Sequence, residues 1–225
     1  MPVNKELYLE GQVLLIDKDY QWTSFDVVKK IRGSIGIKKV GHAGTLDPLA
    51  TGLLIVCTGK KTKEIHTFQD LPKSYEGSFY LGAIRPSHDK ETEITERKSI
   101  SDITTEQLLI TARTFEGEIM QIPPSYSAIK KNGKRLYEYA REGEKVKAEP
   151  RNLTVYNFNI TNINLPLIDF QLKCSKGFYV RSLARDFGRV LGCGAYLESL
   201  RRTGIGDINV EQALTITEFV RKLEK

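Results

Sequence analysis

The stretch IDFQLKCS, residues 168–175, alternates apolar and polar side chains at every position. A period of two is typical of a β-strand with one buried face. The period changes beyond Gly177, where apolar residues recur at the spacing of an α-helix until Gly192. The chain therefore passes from a half-buried strand directly into an amphipathic helix. The helical stripe consists of Val180, Leu183, Ala184, Phe187 and Leu191.

Similar signals occur elsewhere in the chain without a regular order. Short apolar or alternating runs predict strands at residues 13–17, 53–57 and 75–81. Helical spacing predicts helices that begin near Ser24 and Thr105. The strands and helices do not alternate as in a regular parallel α/β sheet. We therefore predict an α+β fold with a mixed, mainly antiparallel sheet and flanking helices.

The composition excludes several classes of protein. The sequence has no apolar run of the roughly 20 residues that a membrane span needs, and no apolar segment typical of a secretory signal. Its three cysteines are far apart, which does not favour a disulfide framework or a zinc site. We expect one domain, residues 1–225, in the cytoplasm. The formal net charge of +6 is a weak indication of a nucleic-acid partner.

The segment GHAGTLDPLATG, residues 41–52, contains a candidate catalytic carboxylate. Its glycines permit tight bends, and Pro48 disfavours a helical conformation at Asp47. A carboxylate on such a stiffened loop suits catalysis, but a structural turn with a local hydrogen bond to Asp47 explains the same residues. The residues alone leave both interpretations open.

Pairs of basic residues recur along the chain, with aromatic residues near several of them. Lysine and arginine neutralise phosphates and aromatic rings stack on unpaired bases, so the pattern suits RNA. Solvated surface charge and aromatic core residues explain it equally well. One cluster surrounds Asn132-Gly133, which is typical of a hairpin turn. The pairs are Lys38-Lys39, Lys60-Lys61, Lys130-Lys131 and Arg201-Arg202.

Five segments together resemble the motifs of the TruB family, the bacterial tRNA pseudouridine-55 synthases, and they follow in the family's order. The resemblance extends from Val13 to near Leu214. It implies the pseudouridine synthase fold with a central RNA-binding cleft. The segments are GHAGTLDPLATG at 41–52, KSY with LG at 73–82, PPSYSAIK at 123–130, CSKGFYVRSL at 174–183 and LRRT at 200–203.

Three features depart from the family's pattern. Residues 17–24 read DKDYQWTS where the family has D-K-P-x-G-x-T-S, so Asp19 and Gln21 replace a proline and a glycine. The loop at residues 83–89 reads AIRPSHD and lacks the threonines that usually precede its aspartate, which implies different RNA contacts there. Many members carry a C-terminal RNA-binding PUA domain, and we expect a short form without one.

The resemblance implies that the protein converts uridine 55 in the T loop of tRNA to pseudouridine. The uracil is flipped out, its bond to C1′ is broken, and it is rejoined through C5 without a cofactor. Asp47 is the implied catalytic carboxylate, acting either as a nucleophile at C1′ or as a base at C2′. Arg181 is implied to pair with Asp47. Tyr75 is implied to stack on the uracil, and Tyr179 to position it or remove the C5 proton.

The remaining implied contacts concern substrate binding. His42 is implied to occupy the space vacated by the flipped nucleotide, and Leu200 to line the pocket beside the base. Lys130 and Arg202 are implied to contact RNA, and a charged insert at about residues 125–150 to grip the tRNA T stem-loop. We expect a monomer that needs no metal and binds no membrane.

Three other functions are compatible with parts of this sequence. A non-catalytic RNA-binding or RNA-folding protein requires the basic clusters, but not Asp47, Tyr75 and Arg181 together. A glycoside hydrolase requires a second well-placed carboxylate, which no motif supplies, and leaves the basic residues unexplained. Pseudouridylation of a different RNA is compatible with the altered loop at residues 85–89.

Overall fold

The computed structural model describes residues 4–144, 146 and 148–224. Lys145 and Lys147, which belong to the predicted insert, lie outside the described residues. The described chain packs as two compact units. One comprises the residues up to Glu76 and those from Leu200 onward, and the other comprises Gly77–Ser199. The expectation of a single domain stays a prediction, and each unit is described by itself.

Several helices of the described residues begin or end at recognisable capping residues. Thr23 and Asp26 form a reciprocal capping box at the start of the second helix, and Gly36 ends it with a left-handed φ of 67°. Two 3₁₀ turns cover Gly59–Glu64 and Val210–Gln212. The α-helices are α1 (Lys5–Glu10), α2 (Ser24–Ile35), α3 (Ile65–Asp70), α4 (Thr105–Arg113), α5 (Leu136–Arg141), α6 (Val180–Val190) and α7 (Ile216–Glu224).

The strands are unequal in length, and several are short hairpin or edge strands. They are β1 (Val13–Lys18), β2 (Val40–His42), β3 (Thr51–Thr58), β4 (Lys73–Leu81), β5 (Ala83–Ile84), β6 (Glu96–Arg97), β7 (Gly117–Gln121), β8 (Lys130–Lys131), β9 (Lys134–Arg135), β10 (Arg151–Asn164), β11 (Leu167–Cys174), β12 (Ala195–Ile205), β13 (Ile208–Asn209) and β14 (Leu214–Thr215). Within this part of the chain, no helix is long and apolar enough to cross a membrane.

The first unit is built around β3, in the strand order β14–β1–β3–β12. β3 runs antiparallel to β1 and parallel to the end of β12. Leu54 and Val56 pack into a core with residues of α2 and α7, whereas Leu53, Ile55 and Cys57 pack into a core on the opposite face. Burial on both faces explains why residues 53–57 form an unbroken apolar run.

The second unit contains the strand order β4–β11–β10–β7, with β10 antiparallel to both of its neighbours. Four phenylalanines fill its core, and the ring centroids of Phe79 and Phe170 lie 4.4 Å apart. Phe187 of α6 packs against Phe79 and Phe158, at 5.8 Å from each ring. Aromatic packing of this kind explains why α6 turns its apolar stripe to the sheet.

The predicted fold class is confirmed by this arrangement of helices on mainly antiparallel sheet. The alternating stretch at 168–175 is β11, and the stripe that follows it is α6. Asn132 and Gly133 have φ values of 52° and 82° between β8 and β9. Two consecutive positive φ angles are typical of a type I′ hairpin turn, so the predicted turn is also confirmed.

Candidate active site

Asp47 lies on a loop between β2 and β3 that is fixed by main-chain hydrogen bonds. The amide of Ala43 donates to the carbonyl of Ile55 at 2.8 Å, where the loop leaves β2. The amide of Ala50 donates to the carbonyl of Asp47 at 3.0 Å, and the amide of Gln21 donates to that of Pro48 at 2.8 Å. The half-buried Asp47 side chain is therefore carried by an ordered backbone.

The residues on either side of Asp47 are held from the segment before α2. Ser24 Oγ accepts from the Leu46 amide at 2.9 Å and donates to its carbonyl at 3.1 Å. The ammonium of Lys18 donates to the carbonyls of Trp22 at 2.7 Å and Pro48 at 3.4 Å. The segment at residues 17–24 thus positions the Asp47 loop.

Lys18 is a buried cation with an electrostatic effect on this loop. Its side chain is 1% exposed, and burial lowers its pKa from 10.5 to about 8. The negative charge of Asp47 opposes part of this shift, so the two side chains interact electrostatically. The two charges attract each other whenever Lys18 carries its proton.

Arg202 supports the same loop from the interior of the first unit. It is 2% exposed, and its Nε donates to the carbonyl of Leu53 at 2.7 Å. Its terminal nitrogens lie 3.3 Å and 3.5 Å from the carbonyls of Gly44 and Thr45. Gly52 permits this approach, because a Cβ there would lie 2.3 Å from the Arg202 carbonyl oxygen. The burial of Arg202 favours a role in positioning the Asp47 loop. Its contact with RNA stays a prediction.

The other predicted residues of this unit lie on strands. His42 ends β2, and burial lowers its pKa. Tyr75, on β4, is 8% exposed, and Leu200, on β12, is partly buried. All three are held by regular backbone. Their roles toward a flipped uracil stay predictions.

In the second unit, Gln121 holds the start of α6. Its Oε1 accepts from the Tyr179 amide at 2.8 Å, and its Nε2 donates to the Tyr179 carbonyl at 3.2 Å. Ser182 Oγ donates to the carbonyl of Ile122 at 2.9 Å. The end of β7 therefore fixes the backbone at Tyr179 and directly beyond it. Gln121 was missed by the sequence analysis, although a polar residue two positions before a strand-breaking proline pair is a weak signal.

Arg181 is the buried cation of the second unit. Its side chain is 5% exposed, and its Nη1 donates to the Tyr126 carbonyl at 2.9 Å. Its Nε lies 3.5 Å from Oδ2 of Asp89, which is also buried. The guanidinium thus links α6 to the PPSYSAIK segment and to the loop that departs from the family pattern. Pairing of Arg181 with Asp47 stays a prediction.

His88 gives the second unit a predicted pH dependence. Burial, aided by the charges of Arg185 and Arg181, lowers its pKa from 6.5 to about 4. The folded state then binds fewer protons than the unfolded state, so the free energy of unfolding falls as the pH drops from about 6.5 to about 4. At pH 4 we expect a loss of about 3 kcal/mol relative to His88→Asn.

Urea unfolding of both proteins between pH 4 and pH 7 measures this difference. Asparagine suits the comparison, because it tolerates the left-handed φ of 62° found at His88. Carboxylates that titrate in the same range affect both proteins alike. Parallel stability curves for the two proteins would contradict a neutral, buried His88.

Lys130 lies on the hairpin of the predicted insert. Its side chain is exposed on β8, and several of the described charged residues near the hairpin form ion pairs. Lys134 pairs with Glu142 and lies over the Tyr139 ring, and Arg141 pairs with Glu91 at 3.0 Å. Among the described residues, the hairpin therefore presents Lys130 beside several charges that are already paired.

The three cysteines are buried thiols, and burial raises the pKa of Cys57 to about 11. A raised pKa keeps this thiol protonated and makes it a poor nucleophile. No group of three or more histidine, cysteine, aspartate or glutamate side chains suited to a metal ion occurs among the residues that the structure describes.

The fold is shared with chains of solved structures. A chain of the structure titled "Crystal Structure of a Cbf5-Nop10-Gar1 Complex" matches with a TM-score of 0.76 and 28% identity. The match covers 96% of this chain and 56% of that chain, so the chain spans little more than half of the neighbour's length. Fold and motifs together define a pseudouridine synthase.

The amino-acid sequence identifies the family. Residues 32–180 match the model of the TruB family pseudouridylate synthase N-terminal domain, and residues 181–224 match that of the tRNA pseudouridylate synthase B C-terminal domain. The chain is 52% identical to tRNA pseudouridine synthase B of Flavobacterium johnsoniae, over 97% of this chain and 99% of the relative. The corresponding protein of Chloroherpeton thalassium is 49% identical, over 96% and 92%. This chain belongs to the TruB family of pseudouridylate synthases.

Proposed function

We propose that this enzyme isomerises uridine 55 in the T loop of tRNA to pseudouridine. The observation that carries the proposal is the Asp47 loop, on which a carboxylate is held in place through its neighbours Leu46 and Pro48. Two relatives about half identical to this chain over nearly their whole lengths are tRNA pseudouridine synthases B. A structural neighbour with 25% identity is part of an H/ACA RNP bound to a substrate RNA, which supports RNA as the partner.

The reaction needs a carboxylate and a dry, shaped site, but no net transfer of atoms. The bond between N1 and C1′ breaks, the uracil rotates, and a bond between C5 and C1′ forms. The proton lost from C5 is balanced by one gained at N1. Asp47 either attacks C1′ or removes a proton from C2′, and both routes start from the ionised carboxylate. Lys18 supplies a positive charge that interacts electrostatically with Asp47.

The remaining predicted residues receive roles that suit their positions. The uracil must leave the stacked bases of the T loop before it can react. An aromatic side chain is then needed to stack on the flipped uracil, and another side chain to occupy the space that it leaves. We assign stacking on the uracil to Tyr75 and occupation of the vacated space to His42. Leu200 lines the pocket beside the base. Tyr179, whose backbone is fixed by Gln121, positions the base or removes the C5 proton.

Lys130 is assigned to a tRNA phosphate, and this assignment makes a quantitative prediction. We expect Lys130→Ala to raise the Kd for tRNA about fivefold at 0.1 M salt and to reduce the slope of log Kd against log salt by about one. We expect kcat to stay within about twofold, because the contact positions RNA and does not enter the reaction. Filter binding and single-turnover kinetics measure these quantities.

The control for this experiment is Lys222→Ala, which removes an exposed lysine from α7. It should leave both the Kd and the salt slope unchanged. A fall in kcat of Lys130→Ala at unchanged Kd would argue against a phosphate contact.

The function is tested with an unmodified tRNA transcript and a second transcript that carries cytidine at position 55. After incubation with the enzyme, carbodiimide treatment and primer extension map pseudouridine. We expect one new stop, at position 55 of the first transcript only. A stop at another position would reassign the target, and tight binding without any stop would favour a non-catalytic RNA-binding protein.

A further inference from the structure

Gln21 has a backbone conformation that glutamine rarely adopts. Its φ is +66°, in the left-handed region. Glycine adopts this conformation without strain, whereas residues with a Cβ are strained there. The TruB motif has glycine at this position, so this chain keeps a side chain where glycine removes the strain. Strain of this kind, about 1–3 kcal/mol, persists only where the surrounding structure holds the conformation, and it is concentrated at functional sites.

The Gln21 side chain lines a surface pocket of the first unit. The pocket has a volume of about 640 Å³, within the usual range for binding sites of small organic molecules. It runs along the outer face of α2 rather than over its end. Its lining consists of Gln21, Trp22, Asp26, Lys29, Lys30, Gly33 and Ser34.

The lining combines an aromatic face with positive charge. Trp22 packs one part of its side chain against the core and is partly exposed, whereas Lys29 and Lys30 are exposed. The Asp26 carboxylate accepts hydrogen bonds from the Thr23 amide at 2.9 Å and from its hydroxyl, so it serves the helix cap. Lysine binds phosphate, and indole rings stack on nucleobases. A nucleotide satisfies both halves of this lining.

The pocket adjoins the Asp47 loop through hydrogen bonds. The Gln21 amide donates to the carbonyl of Pro48, the residue directly after Asp47. Lys18 donates to the carbonyls of both Trp22 and Pro48. The segment that carries Gln21 and Trp22 is therefore bonded to the residue that directly follows Asp47.

We infer that this pocket binds an unpaired nucleotide of the substrate RNA, other than the target uridine. Its base stacks on the Trp22 indole, its phosphate contacts Lys29 and Lys30, and the Gln21 amide group hydrogen-bonds to the base. The inference rests on the proposed function, because it requires an RNA substrate at the Asp47 loop.

Tryptophan fluorescence tests the inference directly, because Trp22 is the one tryptophan of the sequence. Titration with unmodified tRNA should quench the emission, with a midpoint equal to the Kd from filter binding. Adenosine 5′-monophosphate and inorganic phosphate, titrated separately, should leave the emission unchanged at the concentrations where tRNA saturates. Quenching by adenosine 5′-monophosphate but not by tRNA overturns the inference in favour of a free nucleotide.

Two variants separate the pocket from general electrostatics. Lys29→Ala with Lys30→Ala should raise the Kd for tRNA about tenfold, since two phosphate contacts are lost. The matched control, Arg221→Ala with Lys222→Ala, removes the same charge from α7 and should change the Kd less than twofold. Equal effects of the two double variants overturn the inference.

A third variant, Gln21→Gly, should act in opposite directions on stability and binding. It should raise Tm, because the strained φ is relieved, and weaken quenching by tRNA, because the amide group is lost. A raised Tm with unchanged quenching and Kd overturns the role of Gln21.

Pseudouridine formation, measured in the same samples, keeps this inference separate from the proposed function. Pseudouridine formed at position 55 without any change in Trp22 emission overturns the pocket and leaves the function intact. Absence of pseudouridine with any tRNA counts against the function itself.

Discussion

Replacing Asp47 with asparagine is expected to lower the single-turnover rate of pseudouridine formation at least about a thousandfold, as for other essential catalytic carboxylates and nucleophiles. Asparagine has nearly the same size and keeps the backbone bond from the Ala50 amide, but it cannot ionise. It can neither attack C1′ nor accept a proton from C2′. The Kd for tRNA should change less than about threefold, because base flipping and phosphate contacts do not depend on this charge.

The matched control is Asp19→Asn, which removes an exposed carboxylate from the segment that contacts the Asp47 loop. It should retain most of the activity. Rates are measured with enzyme in excess over tRNA, and the thermal unfolding of both variants is compared with that of the wild type. If Asp47→Asn forms pseudouridine at the wild-type rate, the catalytic assignment is wrong.

Replacing Arg202 with methionine is expected to lower the free energy of unfolding by about 3 kcal/mol. The change leaves the carbonyl of Leu53 without its 2.7 Å donor in the interior, and it also removes the weaker contacts to Gly44 and Thr45. An unpaired buried carbonyl costs about 1–3 kcal/mol, and the shorter methionine leaves space beneath the Asp47 loop. Turnover should fall as well, because the loop loses support on one side.

Its neighbour Arg201 supplies the control. The Arg201 guanidinium pairs with both carboxylate oxygens of Asp17, at 2.7 Å and 3.0 Å, but at a partly exposed position. Arg201→Met should therefore cost less than about 1 kcal/mol. Urea unfolding at pH 7 and tRNA binding by both variants decide between the roles of Arg202. Normal stability with greatly weakened tRNA binding would show that Arg202 contacts RNA after all.

Hydrophobic periodicity predicted the strands and helices in which each face is either buried or exposed along the whole element. β11 packs one face on the core along its whole length, and β3 packs both, so each gives a clear pattern. β10, the longest strand, was not predicted, because its pairing with β11 shifts register between Val155 and Asn157 and again between Ile160 and Asn162. Each shift reverses the alternation of its side chains, so no constant period remains.

Some residues of the candidate site could likewise be predicted from the sequence, and others could not. Asp47 could be predicted as a site residue because its whole loop forms one continuous motif, and its role stays a prediction. Gln121 and Asp89 could not, because their partners are remote: the Gln121 amide bonds to Tyr179, 58 positions later. The amino-acid sequence does not distinguish a buried cation such as Lys18 or Arg202 from a cation on the surface. Only the fold shows that these two side chains are buried.

The anchoring of the Asp47 loop has a thermodynamic consequence. Its main chain is tied to Ile55, Ser24 and Gln21, so its conformational entropy is lost when the protein folds and not when RNA arrives. Association with RNA then carries no ordering cost at this segment. The free energy of RNA association can therefore offset the cost of unstacking the target nucleotide in the folded T loop.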